Sequence, residues 1–233
     1  MKLKCEQIKC IGDGETYKVR DIWNYDITVF RNKFDVYNFE DTIGTSYFMG
    51  KDCSVKVNGG YSVEHNTFTG QTNKDFTAKV DYHKENSVFA HIRFYGLSMN
   101  DDRLFIPHGN PCGNLSYMDG GTNTTASNPG RLGLPVVNYV HFPAGMQQTL
   151  HTHPSQRIGL ILKGKGEIEL DHGQIFPIKE GDCWVMERNV LHNFMCNQGE
   201  DVTLFVFSPD SGTGPTDEVN PLKVRTYVGQ QRV

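Results

Sequence analysis

His151 and His153 stand one residue apart in the stretch HTHPSQR, residues 151–157, and His192 follows later in the chain. In an extended segment residues i and i+2 point to the same face, so His151 and His153 project together. Two imidazoles on one face offer two neutral nitrogen ligands, a set that suits Zn, Fe, Mn, Ni or Cu. Four residues after His153 comes Arg157. A guanidinium has no lone pair to give and stays charged. Near a divalent cation it is repelled unless an anion lies between them.

The glycines around these histidines add a pattern. The first stretch reads Gly145-MQQTL-His151-Thr-His153-PSQ-Arg157-IGLILK-Gly164, and the second reads Gly181-DCWVM-Glu187-Arg-Asn189-VL-His192-NFM-Cys196. Their order and spacing resemble the paired motifs of the cupin superfamily. The first cupin motif is Gly, five residues, His-x-His, three or four residues, Glu, six residues, Gly. Every spacing matches here, but Arg157 stands where Glu is usual. In the second motif Gly181 and His192 match, while Glu187, Asn189 and Cys196 replace the usual Pro, Gly and Asn.

The resemblance covers residues 135–208 and implies an all-β fold, a double-stranded β-helix or jelly-roll-like cupin barrel with a metal at its mouth. His151, His153 and His192 would be the ligands of one divalent transition metal. Cupins include dioxygenases, isomerases, lyases, decarboxylases and non-catalytic binding or storage proteins. A three-His set with open positions resembles that of cupin thiol and diketone dioxygenases, so the resemblance favours Fe(II), with Ni, Mn, Cu and Zn as other occupants. The competing reading is a non-catalytic module that binds a small ligand with a structural metal or none. Cupin relatives often pair as dimers, which makes a homodimer the expectation.

Arg157 has three available roles. It could point into the barrel and hold the carboxylate or phosphate of a substrate. Gln156 could take its place and offer an amide oxygen. Or Arg157 could turn outward into an ion pair. Three neutral histidines leave the metal's charge uncompensated, which favours an anionic ligand or hydroxide. A small, anionic substrate is thus expected, with Arg157 and Tyr139 as candidate catalytic residues. Arg157, Gln156, His141 and Phe194 are the candidates for substrate binding. Tyr139 and His141 share parity in VVNYVHF, and Phe194 and Cys196 share parity with His192. Cys196 reads as an inert buried thiol, and Trp184, Met186 and Phe176 as core. His65, His83, His91, His108 and His172 show no ligand spacing.

The elements that must position these groups are strands. No long helical periodicity occurs, and short alternating runs bounded by Gly, Asn and Asp recur. SVKVNGGYSV (54–63) reads as a hairpin about Asn58-Gly59-Gly60, and 76–82 and 87–97 as further strands. From 136 onward short strands follow in rapid succession: 136–142, 157–164, 166–170, 174–178, 183–187, 191–196 and 202–207. Residues 108–135 are rich in Gly, Asn, Pro, Ser and Thr and read as a long connector. This suggests a β-rich N-terminal region over 1–120, either a degenerate second cupin or added strands, and a metal-binding barrel with its tail over 121–233.

Composition narrows the function. The chain has 233 residues and a net charge of −4. No basic tract occurs, so nucleic-acid binding is not expected. No apolar run approaches the ~20 residues of a membrane span. Six cysteines fall at irregular spacings without a CxxC pair. With no apolar signal segment at the start, the expectation is a cytoplasmic protein with reduced thiols.

Overall fold

Short apolar runs punctuated by Gly and Asp become strands throughout the chain. A computed structural model describes residues 7–20, 23–31, 35–38, 44–57, 61–72, 77–82, 84–95, 102–107, 113–127 and 133–210. Among them, eighteen strands and two short 3-10 turns make up the regular structure. The first nine are β1 (Ile8–Cys10), β2 (Thr16–Arg20), β3 (Asn24–Arg31), β4 (Asp35–Asn38), β5 (Thr45–Val57), β6 (Tyr61–Thr72), β7 (Thr77–Tyr82), β8 (Val88–Phe94) and β9 (Arg103–Phe105). The others are β10 (Leu115–Ser116), β11 (Thr122–Ser127), β12 (Val136–Phe142), β13 (Arg157–Lys163), β14 (Lys165–Leu170), β15 (Gln174–Lys179), β16 (Cys183–Met186), β17 (His192–Cys196) and β18 (Val202–Ser208). No helix among the described residues is long and apolar enough to cross a membrane.

An N-terminal sheet has the order β2-β3-β8-β5-β6-β9, with β7 pairing both β4 and β5. A C-terminal sheet has the order β1-β16-β13-β18-β12-β11-β10, and a three-stranded sheet, β15-β14-β17, closes the barrel opposite it. Sheet membership does not follow a cut at residue 120. β1 pairs with β16, placing Ile8 opposite Met186, and β10 also lies in the C-terminal sheet. β5 and β6 meet at Val57 and Tyr61; the turn residues 58–60 lie outside the described residues, as does the tail 211–233.

The expected long connector, 108–135, is interrupted by structure. β10, a 3-10 turn at Met118–Gly120 and β11 occupy it, and β11 pairs with β12. The Thr-rich run TNTTAS has the β-branched character of a strand, which the surrounding Gly and Asn mask in the sequence. Residues 108–112 and 128–132 lie outside the described residues.

The C-terminal sheet is buried on both faces, which explains the near-continuous apolar runs RIGLILK and VTLFVFS. Val137, Tyr139, Ile158, Leu160, Phe205 and Phe207 pack against Tyr25, Ile27, Tyr47, Met49 and Ile92 of the N-terminal sheet. Tyr47 and Phe207 meet edge to face, with ring centroids 5.2 Å apart. The alternate residues Val140, Phe142, Ile161, Trp184 and Leu204 turn the other way, into the barrel. Replacing one of the buried aromatics by Ala would cost about 3–5 kcal/mol. Gly159 is required where it stands: a Cβ there would lie 2.1 Å from Cζ2 of Trp184, so the indole lies flat over β13 and forms one wall of the barrel interior.

Candidate metal centre

His151 precedes β13 and lies in an extended segment between β12 and β13. Pro154 and the bend after it break the run before the strand resumes at Arg157. The segment is still extended, because His151 forms an isolated antiparallel bridge with His192. His151 N donates to His192 O at 2.9 Å, and His192 N returns to His151 O at 3.0 Å. A neighbouring turn supports this pair: Asn189 N donates to His153 O at 2.8 Å. Asn189 has φ 59°, a left-handed conformation that Asn tolerates better than other side chains. The cupin motif places Gly at this position, and Asn meets the same backbone demand.

The three imidazoles converge. Ring centroids lie 4.8 Å apart for His151–His153, 4.4 Å for His151–His192 and 5.2 Å for His153–His192. One nitrogen from each falls within 4.8 Å of the others. Two metal–nitrogen bonds of about 2.1 Å span at most about 4.2 Å, so a bound ion would draw the rings slightly inward. The tautomers suit an ion. His151 Nδ1 contacts the carbonyl of Thr149 at 2.7 Å and His192 Nδ1 that of Val190 at 2.9 Å. A carbonyl only accepts, so each Nδ1 carries the proton and each Nε2 keeps its lone pair. His151 Nε2 is buried and has no hydrogen-bond partner. Burial, the Arg157 guanidinium and the other two histidines press the His153 pKa down to about 2. Burial also lowers His192 to about 4, against the Val190 hydrogen bond. Both rings are neutral at pH 7, the protonation state that metal binding requires. The residues present therefore fit a divalent transition metal.

Arg157 answers part of the question that the sequence leaves open. It does not turn outward; it lines a cavity of about 270 Å³ together with His151, His153 and His192. Its Nη1 donates to the carbonyls of Ser155 and Gln156 at 3.1 and 3.0 Å and to the Ser155 hydroxyl. Phe194 lines the same cavity, and so do Tyr117, Gln148, Trp184 and Asp210. Cys196 is not among the lining residues, and burial raises its pKa to about 11.

Three other expected site residues lie elsewhere. Gln156 alternates with Arg157 and faces the N-terminal sheet. Its Oε1 accepts from the Tyr25 hydroxyl at 2.8 Å and its Nε2 donates to Glu187 Oε2 at 2.9 Å. The amide is thus tied away from the histidines. Tyr139 and His141 do share a face, but it is the outer one. Tyr139 packs between the two sheets against Phe105 and Phe205, and His141 Nε2 meets Asp201 at 3.3 Å. Val140 and Phe142, of opposite parity, line the cavity instead. Glu187, at the motif's usual Pro, also accepts from the Tyr17 hydroxyl at 2.5 Å and so ties the two sheets together. Among the remaining histidines, His91 is buried in the N-terminal sheet, and burial lowers its pKa to about 3.

Sequence reasoning missed Tyr117, Asp119 and Gln148. Gln148 carried a signal, its place between Gly145 and His151. Tyr117 and Asp119 carried none, since they come from the connector. Asp119 accepts from the Thr149 amide at 2.6 Å and from its hydroxyl at 3.1 Å, which pins the 118–120 turn beside His151.

Comparison with known proteins agrees with this architecture. Residues 138–208 match the family model described as a cupin domain. No curated protein sequence matches the chain. Among solved structures, the fold is similar to that of a putative glyoxylate-induced protein from Pseudomonas aeruginosa: TM-score 0.62, 10% identity, covering 90% of this chain and 83% of that one. An IolB-like protein from Salmonella typhimurium is similar at TM-score 0.62 and 11% identity, covering 90% and 95%. A cupin 2 conserved barrel domain protein from Leptotrichia buccalis is similar at TM-score 0.57 and 12% identity, covering 90% and 92%. Identities this low speak to the fold alone. With both motifs on one barrel and the histidines converging in it, residues 138–208 are a cupin domain.

Proposed function

We propose that the protein is a small-molecule metalloenzyme that holds one divalent transition metal through His151, His153 and His192 and acts on a small anionic substrate. The observation that carries this reading is the convergence of three histidine nitrogens, with His151 Nε2 buried and unpartnered, on a cavity that also holds a cation, Arg157. A structural metal is closed off by four protein ligands, whereas a reactive one keeps an open position. Three protein donors beside a cavity support the second case. Fe(II) with dioxygenase chemistry is the preferred form of the proposal, because a three-His set with open positions resembles that of cupin thiol and diketone dioxygenases.

Bound there, such a metal would act as a Lewis acid and, as Fe(II), would supply the redox chemistry of oxygenation. The chain's own residues do the rest. Thr149 and Val190 carbonyls hold two ring protons on Nδ1. Arg157 attracts and orients an anionic group. Phe142, Trp184, Phe194 and Leu204 keep water from the apolar wall.

Elemental mass spectrometry of protein purified without added metal or chelator tests the proposal, on the native chain and on His153→Ala. The expected result is close to one equivalent of iron, lost in the variant. The absence of metal from both, even after reconstitution, would refute it. Another metal at the same stoichiometry would keep the site and refute the iron assignment.

A further inference from the structure

The cavity contains donors that the histidine site leaves unused. Gln148 is 2% exposed and lines the cavity. Its Oε1 accepts the Phe194 N–H at 3.4 Å, which makes Nε2 the free end of the amide. That Nε2 is buried without a hydrogen-bond partner. The Tyr117 phenol stands beside it. Burial and the Asp119 carboxylate raise the Tyr117 pKa, and the Arg157 guanidinium and the Gln148 amide act against that rise, so the phenol lies within electrostatic reach of both groups, which line the same cavity. Nη1 of Arg157 is taken by backbone carbonyls and Ser155. Its Nε and Nη2 have no partner among the described residues. Asp210, at the cavity lining, attracts the guanidinium but leaves the amide unserved. The Trp184 indole N–H, on the same lining, is also buried and unpartnered.

An unsatisfied buried amide costs about 1–3 kcal/mol, and a half-buried cation with no hydrogen-bonded carboxylate adds to that. A ligand that supplies acceptors to these groups together removes both costs. A carboxylate has two oxygens and about four lone-pair directions; an ammonium has none. The neighbouring wall is apolar and largely aromatic, with Phe142, Trp184 and Phe194. The cavity of about 270 Å³ equals about nine water volumes of ~30 Å³ each, which suits a benzoate-sized molecule.

We infer that Tyr117, Gln148 and Arg157 form a carboxylate cradle beside the metal ligands, and that the substrate class is a small monocarboxylate with a flat apolar body. This rests on the reading of the cavity as a substrate site. Tyr117 and Gln148 set specificity by contact with the carboxylate.

The test is calorimetric titration of the zinc-loaded protein, zinc being redox-inert, with benzoate and its neutral isostere benzamide. Tyr117→Phe, Gln148→Leu, Gln148→Glu and the metal-free His153→Ala protein are titrated alongside, with metal content measured in each sample. Benzoate is expected to bind at least about tenfold more tightly than benzamide. Tyr117→Phe and Gln148→Leu should each weaken benzoate by about tenfold and leave benzamide within about twofold. Gln148→Glu, of nearly the same size, should abolish benzoate binding by like charge. His153→Ala should keep benzoate within about tenfold. Equal affinity for the two probes, indifference to Tyr117→Phe and Gln148→Leu, or no benzoate binding at millimolar concentration would each overturn the cradle. So would loss of benzoate in His153→Ala alone, since the carboxylate would then be a metal ligand. A chain that takes up no metal yet shows the benzoate pattern would refute the metalloenzyme reading and keep the cradle.

Discussion

The Asp119 carboxylate grips Thr149 at two points, the backbone N–H at 2.6 Å and the hydroxyl at 3.1 Å. The carbonyl of Thr149 in turn accepts from His151 Nδ1 at 2.7 Å. A residue of the 118–120 turn thus steers a candidate metal ligand through one peptide. Asp119 itself has φ 56°, a conformation Asp tolerates because its side chain can bond locally. Losing such a partner typically costs 10- to 100-fold in metal affinity. Asp119→Ala is expected to weaken zinc binding by about tenfold or more in a competition titration with a chromogenic chelator. Asp119→Asn, which keeps one acceptor oxygen, should recover part of the loss.

Gln156 joins the two sheets and does not reach the histidine cluster. Gln156→Leu strands the Tyr25 hydroxyl and one Glu187 oxygen, so it should lower stability by about 1–3 kcal/mol in urea unfolding. Metal content should stay at the native value. A variant that loses its metal while keeping its stability would contradict the placement of the amide.

Gly159 carries the Trp184 ring directly over its Cα. Gly159→Val should therefore destabilise the protein by about 1–3 kcal/mol or more, through overpacking. It should also shift the Trp184 fluorescence, because the indole has only the cavity to move into. Equilibrium unfolding and emission spectra check both effects.

Acid should destabilise the metal-free protein through its buried histidines. The folded pKa values of His192, His91 and His153 lie at about 4, 3 and 2, below the ~6.5 of an unfolded histidine. The unfolded chain then binds more protons than the folded one, and stability rises with pH. The contribution is full above about 6.5 and is lost as pH falls from there toward the folded values. Urea midpoints of the metal-free protein at pH 7 and 5 should show the decline, and His91→Phe should make it shallower.

What the sequence revealed and what it hid have the same physical source. Strands β12 to β18 were legible because Gly and Asp turns cut the chain into runs of strand length. The histidine cluster was legible because His-x-His in an extended segment fixes a common face. The side of the sheet that a residue faces was not legible. Tyr139 and His141 sit on a strand buried on both faces, so hydropathy does not distinguish inside from outside, and parity told only that they share a side. Gln156 and Arg157 part company for the same reason. Tyr117 reaches the cavity from a hairpin some thirty residues before the ligands, a contact that exists only after folding.

The pairing of β1 with β16 sets an order of events on the ribosome. Ile8 must wait for Met186, which at about 5–20 residues per second means roughly ten to thirty-five seconds of synthesis. Once made, the inner face of the N-terminal sheet, with Tyr25, Tyr47 and Ile92, has no partner until β12, β13 and β18 follow. A chain that has completed its N-terminal sheet but not β12 to β18 thus exposes a row of large apolar side chains, the kind of surface that promotes aggregation.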